Sequence, residues 1–130
     1  MGKSTIQAKF INYIIEEKYL YDTYYNAHYI KYANGEAEYW AHCSNSIGIN
    51  TSTWTSPIAY MDSISFDNIW SGVFNAVPHY VLCTSNNSQL IGVYPYAWTE
   101  TGISQIRFLT VGTKTGIGYN FTIYARGTWK

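Results

Sequence analysis

Charge is scarce in this chain. Only 12% of its 130 residues are Asp, Glu, Lys or Arg, and eight acids balance eight bases, so the formal net charge is zero. A neutral surface gives no electrostatic hold on phosphate, which argues against nucleic acid as a partner. Cysteine is nearly absent. Cys43 and Cys83 are too few for a disulfide framework, and each sits in an apolar, strand-like run where a free thiol behaves as a small hydrophobe. The sequence leaves open whether they are bonded. No stretch approaches the roughly 18 consecutive apolar residues of a membrane span. The N-terminal MGKSTIQAKF also lacks the apolar run of a signal peptide. The chain is therefore expected to be soluble and made in the cytoplasm.

What is present is aromatic. Phe, Trp and Tyr make up 18% of the residues, with 14 Tyr and 5 Trp, and the apolar share is 47%. That composition fits one packed domain. So many tyrosines with so little charge also mean that the surface itself must carry rings.

Residues 6–21, IQAKFINYIIEEKYLY, admit two readings. Ile6, Phe10, Tyr13 and Leu20 fit a helical spacing, whereas Tyr13-Ile14-Ile15 suits a strand. Residues 22–27 are expected to turn. The first 27 residues are therefore expected to form an arm or short stalk, and residues 28–130 a β-domain. Within the latter, residues 28–33 and 36–43 flank Asn34-Gly35, a strong hairpin signal because both positions accept positive φ. A two-residue turn sets Lys31 opposite Glu38 and Tyr29 opposite Trp40. His28, Tyr32 and Tyr39 then fall on the buried face, and Tyr29, Glu38, Trp40 and His42 on the wet one.

Residues 44–57 are expected to be a polar loop carrying Trp54. Strands are expected at 58–66, 78–85, 90–97, 103–112 and 118–126, with Pro95 marking an edge or bulge. Hairpin turns are expected at Asn86-Asn87-Ser88 and Lys114-Thr115-Gly116. This pattern predicts an all-β fold, an antiparallel β-sandwich or jelly-roll.

YIKYANGEAEYWAHC resembles the recurring hairpin of bacteriophage tail-fibre and receptor-binding tip domains. There an aromatic-basic-aromatic strand turns through glycine into an A-E-aromatic-W strand. Tyr13-Ile14-Ile15-Glu16-Glu17 looks like the lead-in to that hairpin. ISFDNIWSGVFNAVPHYVLCTSNN is similar to the middle block of those domains, and IRFLTVGTKTGIGYNFTIYARGTWK to their closing strands. Together these blocks cover most of the chain. The resemblance implies a compact, jelly-roll-like sandwich, a homotrimer, at the far end of a virion fibre that recognises a host-surface glycan alongside other tail proteins. Two departures stand out: KYLYDTYYNAH is longer and richer in tyrosine than the usual linker, and no shaft or virion-anchoring part is recognisable.

No catalytic constellation emerges. Glu36 and Glu38 share a strand face about 7 Å apart, within the range of an inverting glycosidase pair. Lys31, placed opposite Glu38, would lower its pKa and make it a poor acid. His28 and His42 fall on opposite hairpin faces and cannot share a metal ion, and His79 and Cys83 are too far apart along their strand. There is no G-x-S-x-G and no phosphate loop. The expectation is a non-enzymatic protein without metal or cofactor.

The aromatic surplus is the remaining signal. Ring faces stack on the C–H faces of sugars while a few nearby polar groups fix orientation. The candidate glycan platform is Trp54, Trp70 and Trp98 with Tyr94, Tyr96, Asp67 and Asn68. Tyr29 and Trp40, expected outside, are the candidate subunit interface together with Tyr13 and Ile14, because large exposed rings on a strand face call for a cover. The alternatives are a ligand-free virion decoration or connector protein, and a polysaccharide-degrading tip.

Overall fold

The computed structural model describes residues 12–130, apart from the side chains of residues 46–48 and 62–63. The part of the ambiguous lead-in before residue 12 lies outside the described residues. From Ile14 on the lead-in is strand, and no helix occurs among the described residues. The strands are β1 (Ile14–Tyr21), β2 (Tyr25–Tyr32), β3 (Glu36–Ile49), β4 (Ser52–Thr55), β5 (Ile58–Phe66), β6 (Tyr80–Ser85), β7 (Gly92–Trp98), β8 (Ile103–Val111) and β9 (Ile117–Thr128).

They form two antiparallel sheets, five-stranded in the order β1-β2-β3-β9-β6 and four-stranded in the order β4-β5-β8-β7. Inner faces of both sheets share one core. Tyr39, Ala41, Phe121 and Ile123 come from the larger sheet, and Val93, Ile103, Ile106 and Phe108 from the smaller. Phe108 meets Phe121 edge to face at 5.5 Å and joins the two layers. The result is sandwich-like and all-β, as expected.

Several local expectations are corrected. Residues 14–27 do not form a separate arm, because β1 is the outer strand of the larger sheet and β2 already begins at Tyr25. The turn occupies only Asp22–Tyr24, closed by the Asp22 amide donating to the Tyr25 carbonyl at 2.8 Å. The polar segment 44–57 is mostly strand, since β3 runs to Ile49 and β4 includes Trp54. Its described Ser and Thr side chains are exposed at Ser44, Ser52, Thr53 and Thr55 and buried at Thr51, so polarity there marks strand at the wet edge of a sheet. Asn86-Asn87-Ser88 and Lys114-Thr115-Gly116 are not hairpin turns, because each connects one sheet to the other. Pro95 does lie on an edge strand at a register shift, where no ladder amide is needed.

The hairpin forms where expected but pairs one residue out of the expected register. Lys31 faces Ala37, Tyr29 faces Tyr39 and His28 faces Trp40. Three residues, Ala33–Gly35, make the turn, with Gly35 at φ +92°. The Glu36 amide donates to the Asn34 side-chain oxygen at 2.9 Å, so asparagine closes the turn through its side chain. A three-residue loop ending in left-handed glycine is the next commonest hairpin after the two-residue one. Because side chains alternate with period two, the slip turns every β2 residue over. Tyr29 goes into the core at 6% exposure, and His28 and Tyr32 come out.

Cys43 and Cys83 are both buried and free. They pair with Phe121 and Ile123 on the two sides of β9. Two strand spacings, about 9.6 Å, separate them, beyond disulfide reach. Burial pushes both thiols up to about 12.

Candidate functional site

The outer face of the five-stranded sheet is organised in ranks that run across the strands. Successive registers place Tyr19, His28, Trp40, Tyr124 and Leu82 side by side, one from each strand. One neighbouring rank is Tyr21, Asn26, His42, Thr122 and Thr84, which is polar and uncharged apart from its histidine. The other is Glu17, Ile30, Glu38, Arg126 and Tyr80, which holds the charge. Four inter-strand steps make each rank about 19 Å long.

The rings of the middle rank touch in sequence. Tyr19 and His28 stack at 4.2 Å and 5°, and His28 and Trp40 at 5.3 Å and 19°. Trp40 and Tyr124 tilt by 49° at 5.6 Å, and Tyr80 meets Tyr124 edge-on at 5.9 Å. Where rings lie parallel they spend their faces on each other. The wedge between Trp40 and Tyr124, and the outer face of Tyr19 on the edge strand, are the surfaces left for a planar or ring-shaped ligand. Two shallow hollows flank the rank. One, of about 280 Å3, lies among Tyr19, Asn26, His28, Trp40, His42 and Thr122. The other, of about 330 Å3, lies among Glu36, His79, Tyr80, Tyr124 and Arg126.

The charged side chains are held in place. Tyr32 and Tyr124 both donate their hydroxyls to Glu38, at 2.7 and 2.5 Å. Burial, and then the bond to Glu38, push both phenols up to about 12. Arg126 bonds Glu36 at 2.7 Å, which lowers the Glu36 carboxyl and raises the guanidinium. His28 Nε2 lies 2.8 Å from Glu17 Oε2. The expected Lys31–Glu38 pair does not form. In the observed register Lys31 points inward, donates to the Gly72 carbonyl at 2.9 Å and sits 3.7 Å from Glu16. Glu16 also accepts the hydroxyl of Tyr29, so the cover over Tyr29 is β1 of its own sheet.

The histidine geometry changes with the register. His28 and His42 are on the same outer face, on adjacent strands. Among the described residues no three His, Cys, Asp or Glu side chains converge as a metal site would require.

The residues expected to form a glycan platform come together only in part. Trp54 meets Tyr60 edge-on at 5.8 Å, and Arg107 links Tyr60 to Tyr94 and Tyr96 on the same face of the smaller sheet. Trp70, Trp98, Asp67 and Asn68 lie apart from that patch. Trp70 is fully buried, edge-to-face against Tyr39 and Phe74, with its indole N–H on the Thr99 carbonyl at 3.1 Å. It anchors the β5–β6 connection in the core and is closed to any ligand. Trp98 is half-buried and donates to the Pro78 carbonyl at 2.8 Å. Asp67 and Asn68 are exposed just after β5. Trp54 and Tyr96 are both more than half exposed, but lie on β4 and β7, opposite edges of the smaller sheet. Between them Arg107 lies over the Tyr96 ring at 4.2 Å and the Tyr60 ring at 5.1 Å, and bonds the Tyr94 hydroxyl at 3.1 Å. Of the expected interface residues, Tyr13 and Ile14 are exposed, Trp40 is half-buried within the ring rank, and Tyr29 is core.

A cleft of about 520 Å3 also opens between the sheets, lined by Tyr24, Met61, Phe66 and Tyr119 among others. It is largely apolar, and the described residues that line it carry no charge. The outer face of the larger sheet is the stronger candidate, and sequence reasoning missed Tyr19, His28, Tyr124 and Arg126 there. The correct hairpin register would have set His28 beside Trp40, whereas Tyr19, Tyr124 and Arg126 join through the pairings of β1 and β9. The fold and site together define a two-sheet antiparallel β-protein whose larger sheet has an aromatic, charge-bordered outer face. Beyond that class, the chain matches no family model, no curated protein and no solved structure.

Proposed function

We propose that this chain is a receptor-binding domain of the phage tail-fibre tip kind, which holds a host-surface glycan on the outer face of its five-stranded sheet. The observation that carries the reading is the ring rank Tyr19–His28–Trp40–Tyr124, bordered by hydroxyl and amide groups on one side and carboxylates on the other. Sugars present C–H faces to rings and hydroxyls to polar borders, and four rings over about 14 Å offer several such contacts in line. In this reading the fold is a jelly-roll-like sandwich and the protein resides in the virion among other tail proteins.

The reading includes a homotrimer built through the β1 edge. Tyr13, Ile14, Ile15, Leu20 and Tyr21 are all exposed there, and β1 has one side unpaired among the described residues; such an edge calls for a partner. The same edge favours the second reading, a connector that assembles without any ligand. Cleavage is disfavoured. Glu36 and Glu38 share a face, but Arg126 lowers the Glu36 carboxyl, the wrong direction for a general acid.

Binding of the intact chain to immobilised host-wall polysaccharides tests the proposal, with light scattering to give the mass. Trp40→Ala is expected to lose binding by tenfold or more and Trp54→Ala to keep it. The opposite pattern would move the site to the smaller sheet. Failure to bind any glycan, with a stable trimer, would leave the connector reading.

A further inference from the structure

We infer that the ligand of this face is an amino-sugar oligosaccharide bearing free ammonium groups, an assignment that rests on the glycan reading above. The whole chain is neutral, yet this face is not. It carries Glu17, Glu36 and Glu38 against the single guanidinium of Arg126, a formal charge of −2 with histidine neutral.

Glu38 is central to the argument. Its two partners are the phenols of Tyr32 and Tyr124, neutral donors that fix the carboxylate without cancelling its charge. Arg126, opposite it in register, spends its 2.7 Å bond on Glu36, so two carboxylates share one cation. A carboxylate accepts about four hydrogen bonds, and two phenols leave room for a donor from a ligand. Trp40 stands two residues from Glu38 along β3, in the neighbouring rank, and its ring makes a 49° wedge with Tyr124, whose hydroxyl bonds Glu38. A carboxylate held by the phenol that forms one side of this wedge suits an ammonium seated there, which gains an ion pair and a cation–π contact together.

Repetition supports an oligomer. Glu17 and Glu38 belong to the same rank on strands β1 and β3, about 9.6 Å apart by strand spacing. That matches ammonium groups on alternate sugar units laid along the rings. A uronate or phosphate-bearing polymer would meet like charge at both positions, and a neutral sugar would have only the ring contacts.

His28 lies between Tyr19 and Trp40, with Glu17 Oε2 2.8 Å from its Nε2.

The test uses intact protein and three oligosaccharides of equal length, namely oligoglucosamine, its N-acetylated counterpart and an oligouronate, followed by calorimetry. Oligoglucosamine is expected to bind at least tenfold tighter than the N-acetyl form, with no measurable binding of the uronate. The Glu17→Gln/Glu38→Gln variant, its fold checked by circular dichroism, is expected to bring the first two within about twofold. Trp40→Ala is expected to weaken both. Equal binding of the first two oligomers by the unaltered protein, or preference for the uronate, would overturn the ammonium assignment and leave the glycan reading standing. An ammonium preference that survives in the double variant would overturn the assignment to these carboxylates. If none of the three binds, the ammonium assignment falls, and the host-wall polysaccharide assay decides the glycan reading separately.

Discussion

Replacing Trp70 by alanine separates core from site. The indole is fully buried, makes edge-to-face contacts with Tyr39 at 5.8 Å and Phe74 at 5.9 Å, and gives its N–H to Thr99. Truncating a buried Phe or Trp to Ala costs about 3–5 kcal/mol. The two ring pairs and the orphaned carbonyl place this case near the top of that range, about 4–5 kcal/mol. A domain of this size holds roughly 5–15 kcal/mol in total, so the change removes about a quarter or more of it. With a urea slope of about 1.5–2 kcal/mol/M, the unfolding midpoint falls by about 2–3 M. Trp70→Phe keeps most of the ring packing and loses the hydrogen bond, for about 1–2 kcal/mol. Urea unfolding followed by far-UV circular dichroism measures both. A Trp70→Ala midpoint within about 0.5 M of the parent, together with lost glycan binding, would refute the core assignment and return Trp70 to the ligand.

Four further outcomes follow from the packing. A Cβ on Gly102 would lie 2.1 Å from the Phe66 carbonyl oxygen, so Gly102→Ala is expected to cost more than about 2 kcal/mol in the same assay. Cys43 and Cys83, buried with thiols raised to about 12, are expected to react with a thiol reagent at pH 8 only at the rate of unfolding; rapid labelling of the native protein would contradict the burial. At high pH, Tyr29, Tyr32 and Tyr124 titrate near 12 when folded against 10.0 ordinarily. Their contribution is complete below 10 and is lost as pH rises through 12, so the urea midpoint should decline across that interval, and less steeply in Tyr124→Phe. Glu16 behaves oppositely: the Tyr29 hydroxyl holds its carboxyl low. Its contribution is present above the ordinary carboxylate range and disappears as pH falls through the lowered value. Tyr29→Phe should flatten that acid limb.

The strands were legible because their signals are local. Asn34-Gly35 between alternating runs predicts a hairpin wherever the partners lie, and Pro95 marks an edge because it lacks an amide. Sheet membership was not legible in the same way. Asn86-Asn87-Ser88 has the composition of a hairpin turn, yet it carries the chain from one sheet to the other, and turn chemistry does not report which strand the chain meets next. The lead-in was ambiguous for a related reason. Ile14–Tyr21 fits two periodicities and is settled by the free edge of β2, a non-local fact. Trp70 was misplaced because a polar stretch, SFDN, precedes it, and only the fold shows the connection turning back into the core.

The site turned on a single residue of register. With a two-residue turn, Tyr29 would stand beside Trp40 on the outer face and His28 would be inside, and the obvious use of two large exposed rings is a subunit contact. With the three-residue turn closed by Asn34 and Gly35, Tyr29 meets Tyr39 in the core and His28 takes its place between Tyr19 and Trp40. The same slip frees Glu38 from Lys31 and gives it to two phenols. A charge that would have been cancelled within the hairpin is thereby kept next to an indole. The ring rank and its acidic border thus have one physical origin, the αL glycine that lengthens the turn. Any substitution that forces a two-residue turn should dismantle both together.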